Sequence, residues 1–119
     1  MGTAPKRLKL PNADSAVVER EKILSYLLNP FHRDGASKAQ FFSSYGFTAE
    51  KWELLADALR GHGQMHRVSK VVETGFGVRC QVDGELHTPD GRAPHVRTVW
   101  QQDKGRLAPR LITAYPVES

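Results

Sequence analysis

Hydrophobic and polar positions change their rhythm once along the chain, near Gly63. Before it, apolar residues recur at spacings of about three and four, as in helices that bury one stripe. Beyond it they alternate with polar residues or gather in short Val-rich runs, as in strands. In the helical half, Val17, Val18, Ile23, Leu24, Leu27 and Leu28 form the first stripe, with Asn12, Asp14 and Ser15 ahead of it as capping side chains. Asn29-Pro30 ends that helix, because proline disfavours helical geometry in the residue before it. Phe31-His32-Arg33-Asp34-Gly35 is then predicted as a loop or tight turn. Ser37 opens a short second helix over 38–45, whose Phe41, Phe42 and Tyr45 face a core, and Gly46 stops it by accepting a left-handed backbone. The third helix starts at Thr48, carries Trp52, Leu55, Ala56 and Leu59 on one stripe, and is expected to close at Gly61 or Gly63.

In the second half, residues 65–74 and 78–82 read as a hairpin about Gly75-Phe76-Gly77. After the turn signal Thr88-Pro89-Asp90-Gly91 comes a strand over 95–101, and after Asp103-Lys104-Gly105 a last one over 111–115. Helices first and a meander afterwards predict one α+β domain over 12–119, about three N-terminal helices packed on one face of a four-stranded antiparallel sheet. Residues 1–11 read as a basic extended lead-in whose Leu8 and Leu10 dock as an edge strand before Pro11.

Composition narrows the function classes. A length of 119 residues suits a single core, hence a single site. No apolar run approaches the length needed to cross a bilayer, so membrane insertion is excluded. The first nine residues are basic without an apolar h-region, and the cytoplasm, of its own cell or of a target cell, is the expected place of action. Cys80 is the single cysteine, which rules out an internal disulfide and a Cys-rich zinc cage. Seventeen Lys and Arg against thirteen Asp and Glu give a formal charge of +4, which favours polyanionic partners.

Within that frame a few residues carry chemistry. Thr113 and Tyr115 lie two apart on the last strand, so their hydroxyls project together, although both types are also ordinary strand formers. His32, in a turn with Gly35, can act as acid or base near neutral pH or be a plain surface histidine. Lys38 stands at the start of the second helix, where backbone amides attract anions; it reads as a phosphate ligand or as a solvated lysine. Arg97 and Arg110 fall on neighbouring strands, each able to grip a phosphate bidentately. Arg33 adds a cation for a nucleic-acid backbone. Trp100 and Phe76 offer faces on which unpaired bases stack, Trp100 reading first as core. His62 and His66 would share a helix face, yet no Cys or carboxylate completes a ligand set with them or with His87 and His95, and neither metal nor cofactor is expected.

Leu10-Pro11-Asn12-Ala13, Tyr26-Leu27-Leu28-Asn29, the run GASKAQFF from Gly35 to Phe42, Gly46-Phe47 and Arg97-Thr98-Val99-Trp100 together resemble the bacterial domain of unknown function numbered 6883, across nearly the whole chain. That family is similar to the barnase, EndoU, colicin and RelE-like ribonucleases, often toxin domains, which end in a strand with Thr or Ser two before a Tyr. Thr113-Ala114-Tyr115-Pro116 stands in that place. The resemblance implies a helical part followed by a four-stranded antiparallel sheet. It also implies a metal-independent endoribonuclease, transfer RNA being one target class, in which the RNA 2′-hydroxyl attacks the adjacent phosphorus. His32, Lys38, Arg97, Thr113 and Tyr115 would carry the reaction, and Arg110, Trp100 and Arg33 would hold RNA. An acidic antitoxin or immunity protein is the implied partner. Two other readings stay open: a non-catalytic RNA- or protein-binding module on the same fold, and an antitoxin or immunity partner.

Overall fold

The computed structural model describes residues 8–118, with the helical part ahead of the sheet. Strands β1 (Val68–Thr74), β2 (Gly77–Glu85), β3 (His95–Asp103) and β4 (Arg110–Pro116) form an antiparallel meander in the order β1-β2-β3-β4. Residues directly opposite one another share a face of the sheet, so the register sorts the side chains. The rows Cys80–Trp100–Leu111 and Val82–Thr98–Ala114 face the core. They pack with Ile23, Leu27, Phe42, Leu55 and Leu59 from the helical part. The other face carries Asp83–Arg97–Tyr115, Gln81–Val99–Thr113 and Arg79–Gln101–Arg110.

A bulge decides where the last strand aims its hydroxyls. Val99 pairs with Thr113 but Trp100 pairs with Leu111, leaving Ile112 as an extra residue. Strict alternation would have set Thr113 and Tyr115 on the core side with Leu111. The bulge turns them outward while Leu111 and Ala114 stay buried.

The helical part departs from the sequence reading at two points. The first stripe does not begin a helix at Asp14. A 3₁₀ turn, Ala13–Ser15, is followed by extended chain, and the Val17 amide donates to the Pro109 carbonyl (2.8 Å) while the Leu111 amide donates to the Val17 carbonyl (2.9 Å). The free edge of β4 offers unpaired amides and carbonyls that a helix at Val17 would leave open, and β-branched valine suits the extended form. Helix α1 (Arg20–Lys22) starts only after this and runs directly into a π-helical turn, Ile23–Leu27. Helix α2 (Ala36–Ser44) ends before Gly46, whose φ of 102° is the left-handed conformation expected. Helix α3 (Trp52–Met65) continues through both Gly61 and Gly63. Gly63 serves close packing instead: a Cβ there would lie 2.8 Å from the Trp100 ring.

The lead-in docks as an edge, with the Val68 amide donating to the Leu8 carbonyl (2.9 Å) and Lys9 bridging to Arg67. Residues 1–7 of that lead-in lie outside the described residues. No helix among the described residues is long and apolar enough to cross a membrane.

Candidate active site

The π turn, the loop after Pro30 and the start of α2 meet beside β4, and Tyr26 is the side chain they share. The π turn closes with the Leu28 amide on the Ile23 carbonyl (2.8 Å) and directs the Tyr26 hydroxyl to Thr113 Oγ1, 2.9 Å away. The loop after Pro30 then folds back over the Tyr26 ring. Asn29 Oδ1 accepts from the Phe31 amide (2.9 Å), and the His32 carbonyl accepts from the Ala36 amide (3.0 Å) as α2 begins. Gly35 rests against the Tyr26 carbonyl and ring with no room for a side chain.

His32 stands edge-on to Tyr26, with ring centroids 5.0 Å apart. Its Nδ1 accepts from the amides of Asp34 (2.9 Å) and Gly35 (3.0 Å). In the neutral imidazole this fixes the tautomer, because the accepting nitrogen carries no proton and Nε2 must carry it. His32 therefore brings a fixed N–H donor to the cleft it lines.

Lys38, in the first turn of α2, donates to the Asp34 carbonyl (3.2 Å). Its ammonium lies 5.5 Å from the Tyr26 ring centre and 6.0 Å from that of Tyr115. Lys22 approaches the Tyr26 ring to 5.4 Å. Neither lysine is in an ion pair among the described residues. The open cleft, about 610 Å³, is lined by Glu21, Lys22, Tyr26, His32, Asp34 and Thr113 among others.

Arg97 lies on the neighbouring strand, 6.0 Å from the Tyr115 ring centre, and grips Asp83 through two bonds (2.8 and 3.0 Å). The Arg97 hydrogen bonds hold the Asp83 carboxyl below the usual carboxylate range, and those of Asp83 and Tyr115 raise Arg97 further above neutrality. Its charge is thus matched by a carboxylate and its plane braces Tyr115.

Of the residues singled out in the sequence, the fold sets His32, Lys38 and Thr113 against Tyr26, while Tyr115 joins them through Lys38 and Arg97; of these His32 and Thr113 line the cleft. Arg33 is adjacent, its side chain 93% exposed. Three others stand elsewhere. Trp100 has no exposed surface and donates its indole N–H to Thr98 Oγ1 (2.8 Å), so it offers no face to a base. Arg110 is held by Asp103 (2.8 Å) in the row of Arg79 and Gln101; it does not itself line the cleft, although Glu19, which does, acts on its charge. Phe76, 78% exposed, sits in the β1–β2 turn at the Gly77–Asp103 end, whereas Tyr115 pairs with Arg97. Six strand positions separate those ends of β3, about 20 Å.

Sequence reasoning missed Tyr26 and Lys22. Their i,i+4 spacing was a visible signal, but Tyr26 entered only within the motif Tyr26-Leu27-Leu28-Asn29 and was given no role of its own.

His62 is a structural residue. Its Nε2 donates to the carbonyls of Val96 (2.8 Å) and Gly84 (3.1 Å), so Nδ1 accepts from the Thr98 hydroxyl (3.0 Å). Burial first, and the nearby His66 second, lower its pKa to about 4. Among the described residues no three His, Cys, Asp or Glu side chains are placed to hold a metal ion.

Comparisons with known proteins agree with this architecture. No curated protein matches the chain. In fold it is similar to a chain of the contact-dependent growth inhibition toxin–immunity protein complex from Klebsiella pneumoniae 342. The TM-score is 0.69 over 90% of this chain and 97% of that one, at 16% sequence identity. The model of one family covers residues 9–118, and the chain belongs to that family, described as Domain of unknown function (DUF6883).

Proposed function

We propose that this domain is a toxin that cleaves RNA without a metal ion. The observation that carries the reading is the convergence of His32, Lys38 and Thr113 on Tyr26 beside an open cleft, with Tyr115 next to Lys38. In the reaction the RNA 2′-oxygen bonds to the adjacent phosphorus and the P–O5′ bond breaks. Water takes the proton from the 2′-hydroxyl and returns one to the 5′-oxygen, and a 2′,3′-cyclic phosphate remains. Lys38 neutralises charge on the phosphorane, and the His32 Nε2–H binds one of its oxygens. Thr113 and Tyr115 hold or protonate phosphate oxygens, with Arg97 bracing Tyr115. The donors are held by backbone and by Tyr26 before substrate arrives, which is what makes such groups effective in a transition state.

The likeness to a chain of a toxin–immunity protein complex supports a member of such a pair with a cognate protein partner, and the basic charge favours the toxin side. The net charge of +4 favours polyanionic partners in general, RNA as substrate and an acidic protein as inhibitor. The test is cleavage of total RNA in EDTA, with the new ends examined for cyclic phosphate. His32→Ala should lower the rate on the order of a hundredfold, the cost of one positioned donor. His32→Gln, which keeps an N–H donor at similar reach, should lose less. Salt-sensitive RNA binding without cleavage by the wild type would replace the enzyme with a binding module.

A further inference from the structure

The turn that holds His32 presents two other side chains for which the core has no use. Phe31 is 92% exposed, the highest exposure of the large hydrophobic residues described, and the Arg33 side chain is 93% exposed. The backbone between them is held. Asn29 Oδ1 takes the Phe31 amide (2.9 Å), Asn29 Nδ2 reaches back to the Ser25 carbonyl (3.3 Å), and the His32 amide donates to the Asn29 carbonyl (3.2 Å). An aromatic ring and a guanidinium therefore project from a fixed turn on either side of His32. Adjacent Cα atoms are about 3.8 Å apart, so both side chains start within one residue of cleft-lining His32, without lining the cleft themselves.

We propose that Phe31 and Arg33 form a clamp for single-stranded RNA, Phe31 stacking on an unpaired base and Arg33 pairing with a neighbouring phosphate. The proposal rests on the ribonuclease reading of the same site and names its substrate class. An aromatic face takes any base that is free of its own stack, whereas a duplex keeps its bases inside. The clamp thus selects unpaired RNA with little preference for sequence. Of the other aromatics considered for this role, Trp100 is buried and Phe76 is at the far end of the sheet, so Phe31 is the face within reach of His32. The flanking cations Arg33, Lys22 and Lys38 match a phosphate backbone better than an acidic peptide with no need for an aromatic ring. Asp34, 3.6 Å from Arg33, is a loose and solvated counter-ion that a phosphate can displace.

The test uses a 2′-O-methyl oligoribonucleotide, which binds without being cleaved, as a single strand and as a duplex. Phe31→Ala should raise the single-strand Kd by roughly fivefold to a hundredfold, the alanine cost of one base–aromatic stack, and leave the duplex Kd unchanged. Phe31→Trp should restore it. On cleavable single-stranded RNA, Phe31→Ala should raise KM far more than it lowers kcat. Single-strand binding equal to wild type overturns the clamp and leaves the ribonuclease standing. Unchanged RNA binding together with lost binding of an inhibitory protein would likewise overturn it, assigning Phe31 to that protein. If the wild type neither binds nor cleaves RNA, the ribonuclease reading falls and the clamp with it.

Discussion

Acid should loosen this fold through a single buried ring. The perturbation is a fall in pH, and the group is His62, only 2% exposed, which ties α3 to the sheet. The folded protein holds its pKa near 4, against 6.5 for a free histidine. The unfolded chain therefore binds a proton between those values and the folded chain does not, so stability is full above about pH 6.5 and declines as the pH falls towards 4. At 1.36 kcal/mol per pKa unit the gap is worth about 3 kcal/mol, a large part of the 5–15 kcal/mol typical of a domain. Burial of the ring is the main cost, with the nearby His66 second, and the hydrogen bond from Thr98 adds to both. A proton on Nδ1 would meet the Thr98 hydroxyl that now donates to it, and Thr98 would have to turn that hydrogen to the Val82 carbonyl, 3.5 Å away, while still accepting from Trp100. Urea unfolding of wild type and His62→Gln at several pH values from 7.5 to 4 is the assay. The difference in stability between the two should shrink by about 3 kcal/mol over that range. Parallel pH curves would refute the reasoning, because other titrating groups are common to both proteins.

Other consequences follow from close contacts and from charge. Tyr26→Phe removes the hydroxyl from Thr113 and should cost about 1 kcal/mol in chemical denaturation, with a clear loss of RNA cleavage because Thr113 is no longer held. Gly63→Ala forces a methyl against the Trp100 ring and should lower stability by about 1–3 kcal/mol without altering the cleavage rate of the folded fraction. Gly35→Ala meets the Tyr26 backbone, which cannot swing aside, and should displace the His32 turn, abolishing cleavage more completely than it lowers the melting temperature. Asp83→Asn frees Arg97 from its counter-ion, and RNA affinity measured at low salt should rise, with a steeper salt dependence.

Much of this was legible in the sequence for a simple reason. The change of period at Gly63 is a change of element type, and the strands on its far side are separated by turns whose Gly and Pro residues leave few alternatives. Pairings between distant segments were not legible. Val17 and Val18 fit a helical stripe on spacing alone, and only the free edge of β4, almost a hundred residues on, draws Val17 into extended form. Gly63 looks like a helix terminator until Trp100 is seen against it. The site shows the same division. Thr113 and Tyr115 were recognisable as a pair, but their direction depends on a one-residue bulge at Ile112 that nothing in the local sequence announces. Trp100 and Arg110 could be placed on strands, whereas their partners, Thr98 and Asp103, were not legible: the first holds the Trp100 indole inside the core and the second pairs with the Arg110 charge.

The central claim is that the groups around Tyr26 form a ribonuclease site. The most direct measurement is the rate at which pure protein cleaves a defined single-stranded RNA in EDTA, beside His32→Ala and Lys38→Ala proteins shown by thermal melting to be folded. The account predicts cleavage by the wild type that leaves a 2′,3′-cyclic phosphate, and a loss on the order of a hundredfold in each variant. Equal cleavage by all three proteins, or cleavage leaving a different end, would contradict it.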